Sequence, residues 1–209
     1  MTIWVSIVLL SIAHVCSIHR PHRWLYYTSK PAPILLLIGA LLLSDTVSNA
    51  YSQFIVLGLL LSVLGDILLM LPKERFIAGL TFSLVSHLFY FSAFAGQITI
   101  TFSPWLIAAL LLIGVAVYRL IGNNLQSAAV PVVSYLIVIL LMTWSATEYR
   151  AMGYNQSSAF AFTGAILFLL SYFVFAIDRF RESSRYSRQV VMITYYTAQI
   201  FIALSAFTY

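Results

Sequence analysis

Charge is what this sequence lacks most. Only 8% of its 209 residues are Asp, Glu, Lys or Arg, against about 25% in an ordinary soluble domain. A soluble chain of this length cannot cover its core with so little polar surface. With 62% of residues hydrophobic, the surplus apolar surface must face lipid. Cysteine is nearly absent too. Cys16 stands alone, so no intrachain disulfide can form, and cysteine usage says nothing about redox compartment. Also missing is any Lys or Arg ahead of the first apolar run, Met1 to Ile18. Arg20 and Arg23 follow that run instead. The stretch Ala13-His14-Val15-Cys16 is neither a small-x-small cleavage site nor a convincing lipobox. The run reads as a retained first span whose N-terminus lies outside the cytoplasm.

What is present is a series of apolar runs. A span needs roughly 20 such residues. Spans are expected at about 2–18, 31–49, 51–71, 75–96, 104–121, 129–149, 158–178 and 189–208. The fold class is therefore an all-α, polytopic membrane bundle of about eight helices in one domain. Pro31 and Pro33 open the second span, Pro104 and Pro131 the fifth and sixth, where a missing N–H costs little. Pro72 closes the third. Tyr51, Trp105, Trp144, Tyr149 and Tyr154 fall near boundaries, as interfacial aromatics do.

A net charge of +5 would suit nucleic acid, but its distribution argues for membrane orientation. Loops after odd-numbered spans hold Arg20, Arg23, Lys30, Lys73, Arg75, Arg119, Arg179, Arg181, Arg185 and Arg188. The other side holds only Arg150. That asymmetry is a positive-inside signal, supports an even span count, and puts both termini on the non-cytoplasmic side.

A weak internal repeat relates the halves. Gly58 to Asp66 resembles Gly164 to Tyr172, Pro31 matches Pro131, and Ser86-His87-Leu88-Phe89 matches Ala198-Gln199-Ile200-Phe201. Four spans per half would make this a 4+4 parallel repeat about an axis normal to the membrane.

Asp66 is the most informative residue. It sits in Leu64-Gly65-Asp66-Ile67-Leu68-Leu69 with no cation beside it in sequence. A carboxylate there costs at least ~2.5–3.5 kcal/mol on insertion scales. Apolar surroundings favour a neutral carboxyl, which suits a proton donor. The alternative is a helix-end Asp reaching the interface about 8 Å away. His87 lies about 16 Å into span four, near the midplane, with Ser83 and Tyr90 on its face. It is either a catalytic or substrate-contacting group or a neutral bridge between helices. A lone His without a second His or a nearby Cys argues against zinc. Tyr135, Tyr172, Tyr195, Tyr196 and Gln199 form a polar minority in spans six to eight, as interhelical hydrogen-bond partners or as a cavity lining. Asp66, Tyr135 and Tyr172 fall at similar depth. Lys30 is placed at the cytoplasmic boundary, to meet a lipid phosphate or to act as an anchor. Asp178, Glu182 and the nearby arginines read as a solvated loop, and Glu148 with Arg150 as an outer interface pair.

The set Lys30-Pro31, Gly65-Asp66, Ala78-Gly79, His87-Leu-Phe-Tyr90, Pro131 with Tyr135, and Tyr195-Tyr196-Thr-Ala-Gln199 resembles the YhhN family of lysoplasmalogenase-like membrane proteins, from about residue 24 to the end. The resemblance implies an eight-span enzyme that hydrolyses the vinyl ether bond of a lysoplasmalogen, a single-chain lysophospholipid of the membrane. The products are a fatty aldehyde and a glycerophospho-ethanolamine or -choline. It implies a pair of intramembrane aspartates, one matching Asp66. The other falls at Tyr172, where this chain has no carboxyl. On this reading Asp66, His87 and Tyr172 are the catalytic candidates. Lys30, Tyr90, Tyr135, Tyr195, Tyr196 and Gln199 bind substrate, and no metal, cofactor or nucleic acid takes part. The expected location is a bacterial inner membrane. A small proton-coupled transporter or flippase, and a lipid binder without chemistry, are the competing readings.

Overall fold

The computed structural model describes residues 2–18, 23–71, 75–99, 103–153 and 155–209. Arg20, Pro72, Lys73 and Tyr154, used above, lie outside them. Nine α-helices follow one another among the described residues: α1 (Thr2–Ser17), α2 (Arg23–Ser29), α3 (Ala32–Leu42), α4 (Ala50–Met70), α5 (Phe76–Ala95), α6 (Pro104–Ile121), α7 (Ala129–Met152), α8 (Gln156–Phe180) and α9 (Ser187–Phe207). No strand occurs among them.

Seven helical segments are long and apolar enough to cross a membrane, with Trp24–Leu42 counted as one. The 21 residues of α4 rise about 32 Å, which matches a hydrocarbon core of about 30 Å. Only 22% to 50% of each span's apolar window is buried inside the bundle. The outward residues are apolar: Leu112 is 71% exposed and Val130 77%. Such surfaces aggregate in water and match lipid. The chain is an integral membrane helix bundle. The expected first span forms α1, whose 16 residues reach about 24 Å; it packs on α3 and α9.

The second span departs from the expected 31–49. It runs Trp24–Leu42, so Ser29 and Lys30 fall inside it and the stretch from Ser44 to Asn49 falls outside. Ser44 Oγ lies 2.6 Å from Thr46 Oγ1, and the Asn49 side chain caps α4 by accepting from Ser52 N–H at 2.8 Å. Short polar side chains offer the backbone these local partners and end helices. Pro31, expected to begin the span, interrupts it: α2 stops at Ser29 and α3 starts at Ala32.

The repeat is visible in the packing. The two most extensive helix pairings are α4 with α5 and α8 with α9. Asn49 caps α4 and Asn155 caps α8 in the same way, through Ser52 and Ser158 N–H. The offset between these caps also separates Gly58 from Gly164. A Cβ on Gly58 would strike the Tyr90 ring, and one on Gly164 would strike Ile202. Those two residues are related by the offset that relates Ser86 to Ala198. Small residues let paired backbones approach closely where no hydrophobic force pulls helices together.

The boundary aromatics divide. Trp105 is 70% exposed, as an interfacial anchor should be. Tyr51 and Tyr149 instead face inward, 2% and 5% exposed, and donate to Ser205 and Ser157. Glu148 is also not an exposed interface residue. It is fully buried and accepts from Ser103 N–H at 2.8 Å, at the start of α6, where unpaired amides favour an anion. The expected solvated loop is found at residues 181–186, which are exposed; Asp178, expected in it, lies instead within α8, half-buried, and accepts from the hydroxyls of Ser183 and Ser187.

Candidate active site

Asp66 lies one turn from the end of α4, and it is buried, 6% exposed. Its neighbour explains the placement. A Cβ on Gly65 would lie 2.7 Å from Ser83 Oγ and 3.1 Å from the Gly79 carbonyl oxygen. Only glycine lets α4 and α5 meet here, and the meeting aims Asp66 across the bundle. The expected isolation of this carboxyl does not hold. Lys30 Nζ stands 3.1 Å from Oδ1, and Tyr195 donates to Oδ2 at 2.8 Å. The cation comes from the interrupted segment, 36 residues upstream, so sequence neighbours could not reveal it. Lys30 is itself 7% exposed and is spoken for by the carboxyl, which replaces the expected boundary position beside a lipid phosphate.

The break that delivers Lys30 is held from α9. Tyr196 donates to the Lys30 carbonyl oxygen at 2.9 Å. Backbone groups freed by a proline inside a membrane need such partners.

A cavity of about 590 Å³ opens beside the carboxyl, lined by Lys30, Asp66, Tyr135, Tyr172 and Tyr195. Leu69, Leu80, Phe168, Phe175 and Met192 form its apolar wall. It reaches the end of the bundle where Ile18, Leu71, Asp178, Arg179 and Arg188 line it. The expected common depth of Asp66, Tyr135 and Tyr172 thus becomes a shared wall. The Tyr135 and Tyr172 rings lie 4.7 Å apart, and Tyr172 donates to the Val132 carbonyl oxygen at 3.0 Å.

The chain matches the description of the YhhN family over residues 25–206. It belongs to the YhhN family. An Escherichia coli O157:H7 relative named uncharacterized membrane protein YhhN is 28% identical over 204 residues, 98% of each chain. A human relative named lysoplasmalogenase TMEM86B is 31% identical over 97% of this chain and 86% of its own. A Bos taurus relative named lysoplasmalogenase TMEM86A is 32% identical over 88% and 78%. No solved structure matches.

The other expected residues of this YhhN-family chain stand behind the cavity wall. His87 is 2% exposed and is packed among Tyr90, Tyr135 and Phe168. Its Nδ1 donates to the Ser83 carbonyl oxygen at 2.6 Å, an assignment that leaves Nε2 as the acceptor, 3.4 Å from Tyr135 Oη. Tyr90 donates to Gln199 Oε1 at 2.8 Å, and both are fully buried. Tyr90, Gln199 and Tyr196 therefore tie helices together one layer behind the cavity. Among the described residues no cluster of three His, Cys, Asp or Glu could hold a metal ion.

Sequence reasoning missed His14. It lines the cavity, is fully buried, and its Nδ1 lies 3.0 Å from Ser29 Oγ. The Ser29 hydroxyl donates to the Leu25 carbonyl oxygen, so His14 Nδ1 supplies the proton between them. Its Nε2 finds no hydrogen-bond partner among the described residues. The rule that singled out His87, a histidine in an apolar helix, applied equally to His14.

Proposed function

We propose that this protein is a membrane hydrolase that cleaves the vinyl ether bond of a lysoplasmalogen, giving a fatty aldehyde and a glycerophospho-ethanolamine or -choline. One observation carries the reading. A buried carboxyl, held by a cation and a phenol, is set in the wall of a cavity that is polar there and apolar beyond. The names of the TMEM86 relatives supply the substrate class. The arginine-rich end, by the positive-inside rule, faces the cytoplasm, with both termini opposite.

The chemistry follows from the group in place. As a carboxylic acid, Asp66 gives its proton to the alkene carbon β to the ether oxygen. Positive charge then develops on the oxygen-bearing carbon, beside the carboxylate just formed, which lowers the barrier. Water adds to that carbon and returns a proton to the pair. The hemiacetal collapses to aldehyde and a glycerol hydroxyl. One water is consumed and the acid is regenerated. Tyr195 fixes the carboxyl's rotamer. Tyr172, whose own proton goes to Val132, offers its oxygen as an acceptor for the water. His87 acts through Tyr135 as a positioning residue.

The test is aldehyde release from a lysoplasmalogen by purified protein, beside Asp66→Asn. Loss of a general acid costs about 10²–10⁴-fold. No aldehyde from the wild type ends the hydrolase reading for this substrate. Tyr172→Asp asks whether a second carboxyl adds to turnover.

The interruption at Lys30–Pro31 favours a second reading, proton-coupled transport, because transporters place sites at helix breaks. Substrate accumulation in proteoliposomes that follows an imposed proton gradient, without aldehyde, would select it.

A further inference from the structure

A second hollow of about 210 Å³ lies on the lipid-facing surface between α6 and α8. Ile113 and Val117 line it from α6, and Ile166, Leu170 and Phe173 from α8, with Tyr172 at its inner end. On α6 the spacing is four residues; on α8 the residues recur at four, three and seven. Each set is one helical face. The hollow is therefore a groove running along the helix axes, for about 6 Å on α6 and about 10 Å on α8. Lipid chains run in the same direction. Its floor is buried, with Val117 at 2% and Tyr172 at 4%, and its rim is open, with Ile113 at 42% and Leu170 at 45% exposed.

Tyr172 also lines the central cavity. One ring thus separates a polar chamber from an apolar channel open to the bilayer. That ring stands where the repeat has Asp66 in the other half. α6, the outer wall of the groove, is the least enclosed of the seven spans, with 22% of its window buried.

We propose that this groove seats the single hydrocarbon chain of the lipid, which passes over Tyr172 into the central cavity while the headgroup lies toward the arginine-rich end. Tyr172 is common to the walls of groove and cavity, which argues for one occupant with an apolar tail and a polar head. The proposal rests on the reading that the ligand is a single-chain phospholipid, and its test does not use turnover.

The protein is reconstituted in phosphatidylcholine vesicles with a 1-alkyl-lysophosphocholine that bears a diazirine at mid-chain. After illumination, the label is mapped by mass spectrometry. Label is expected on the segments around Ile113–Val117 and Leu169–Phe173. It should fall about tenfold with excess unlabelled lysolipid and with Leu170→Trp or Ile113→Trp, whose rim positions tolerate size. Leu112→Trp, on the lipid-facing side of α6 outside the groove, should leave it unchanged. Label spread evenly over all lipid-facing helices, or groove label that neither competitor nor rim tryptophan reduces, overturns the proposal. Groove labelling from a protein that releases no aldehyde would keep the groove and remove only the hydrolase reading.

Discussion

Two buried polar clusters sit at opposite ends of the same bundle. At one end Tyr51 donates to Ser205, Tyr149 to Ser157, and Ser157 to the Ser205 carbonyl oxygen. Glu148 is satisfied nearby by Ser103. None of these residues lines the central cavity. At the other end Lys30 and Tyr195 both bind Asp66, and all three also face a chamber. Both clusters offset the cost of burying polar atoms. Only one leaves reactive groups next to empty space. Burial of a charge is thus a poor sign of function by itself; burial beside a cavity is a better one.

Substitutions can break that comparison. The largest effect should separate the two carboxyls: Asp66→Asn lowers aldehyde release by about 10²–10⁴-fold, whereas Glu148→Gln leaves turnover within about twofold and acts on thermal stability. Equal losses from both would erase the distinction. Next, Lys30→Met leaves the Asp66 carboxylate without its cation and should destabilise by about 3–5 kcal/mol. Adding Asp66→Asn to it should recover most of that loss in a melting experiment, and a purely additive double variant would show that the pair is not coupled. Gly65→Ala should cost about 1–3 kcal/mol by overpacking α4 on α5, and a normal melting temperature would show that the crossing can open. Smallest is Tyr51→Phe in the closed cluster, about 0.6 kcal/mol by analogy with hydrogen bonds measured in membrane bundles, with turnover unchanged.

The sequence displayed most of the bundle because lipid imposes long apolar runs, and seven such runs are found. Asp66 stood out for the same reason. Its partner did not. Lys30 looked like a boundary residue because Pro31 reads as a helix start, and the span was registered too late by the width of that assumption. The polar residues from Ser44 to Asn49 were the opposing signal, since they cap and turn the chain rather than cross with it. Closeness to Arg150 in sequence makes Glu148 read as half of an outer interface pair, while its acceptor need is met by Ser103, 45 residues away. His14 stands in Ala13-His14-Val15-Cys16, a stretch that reads first as a question of signal cleavage, and its partner Ser29 lies in the next helix. The Lys30–Asp66 and Ser103–Glu148 contacts join distant segments, and spacing within a single helix holds no information about them, whereas the signals for His14 and for the register of the second span lie in the sequence itself.

The touching backbones of Gly65 and Gly79 have a consequence for how tolerant the molecule is. A side chain hung one residue from a point where two helices abut inherits its direction from the main chain. The Cα–Cβ bond of Asp66 would keep its heading even with its ammonium and phenol companions deleted, while the carboxyl beyond it would lose the rotamer they hold. Chemistry could then be lost and regained by drift at Lys30 or Tyr195, while two hydrogens in place of two methyl groups preserve the aim.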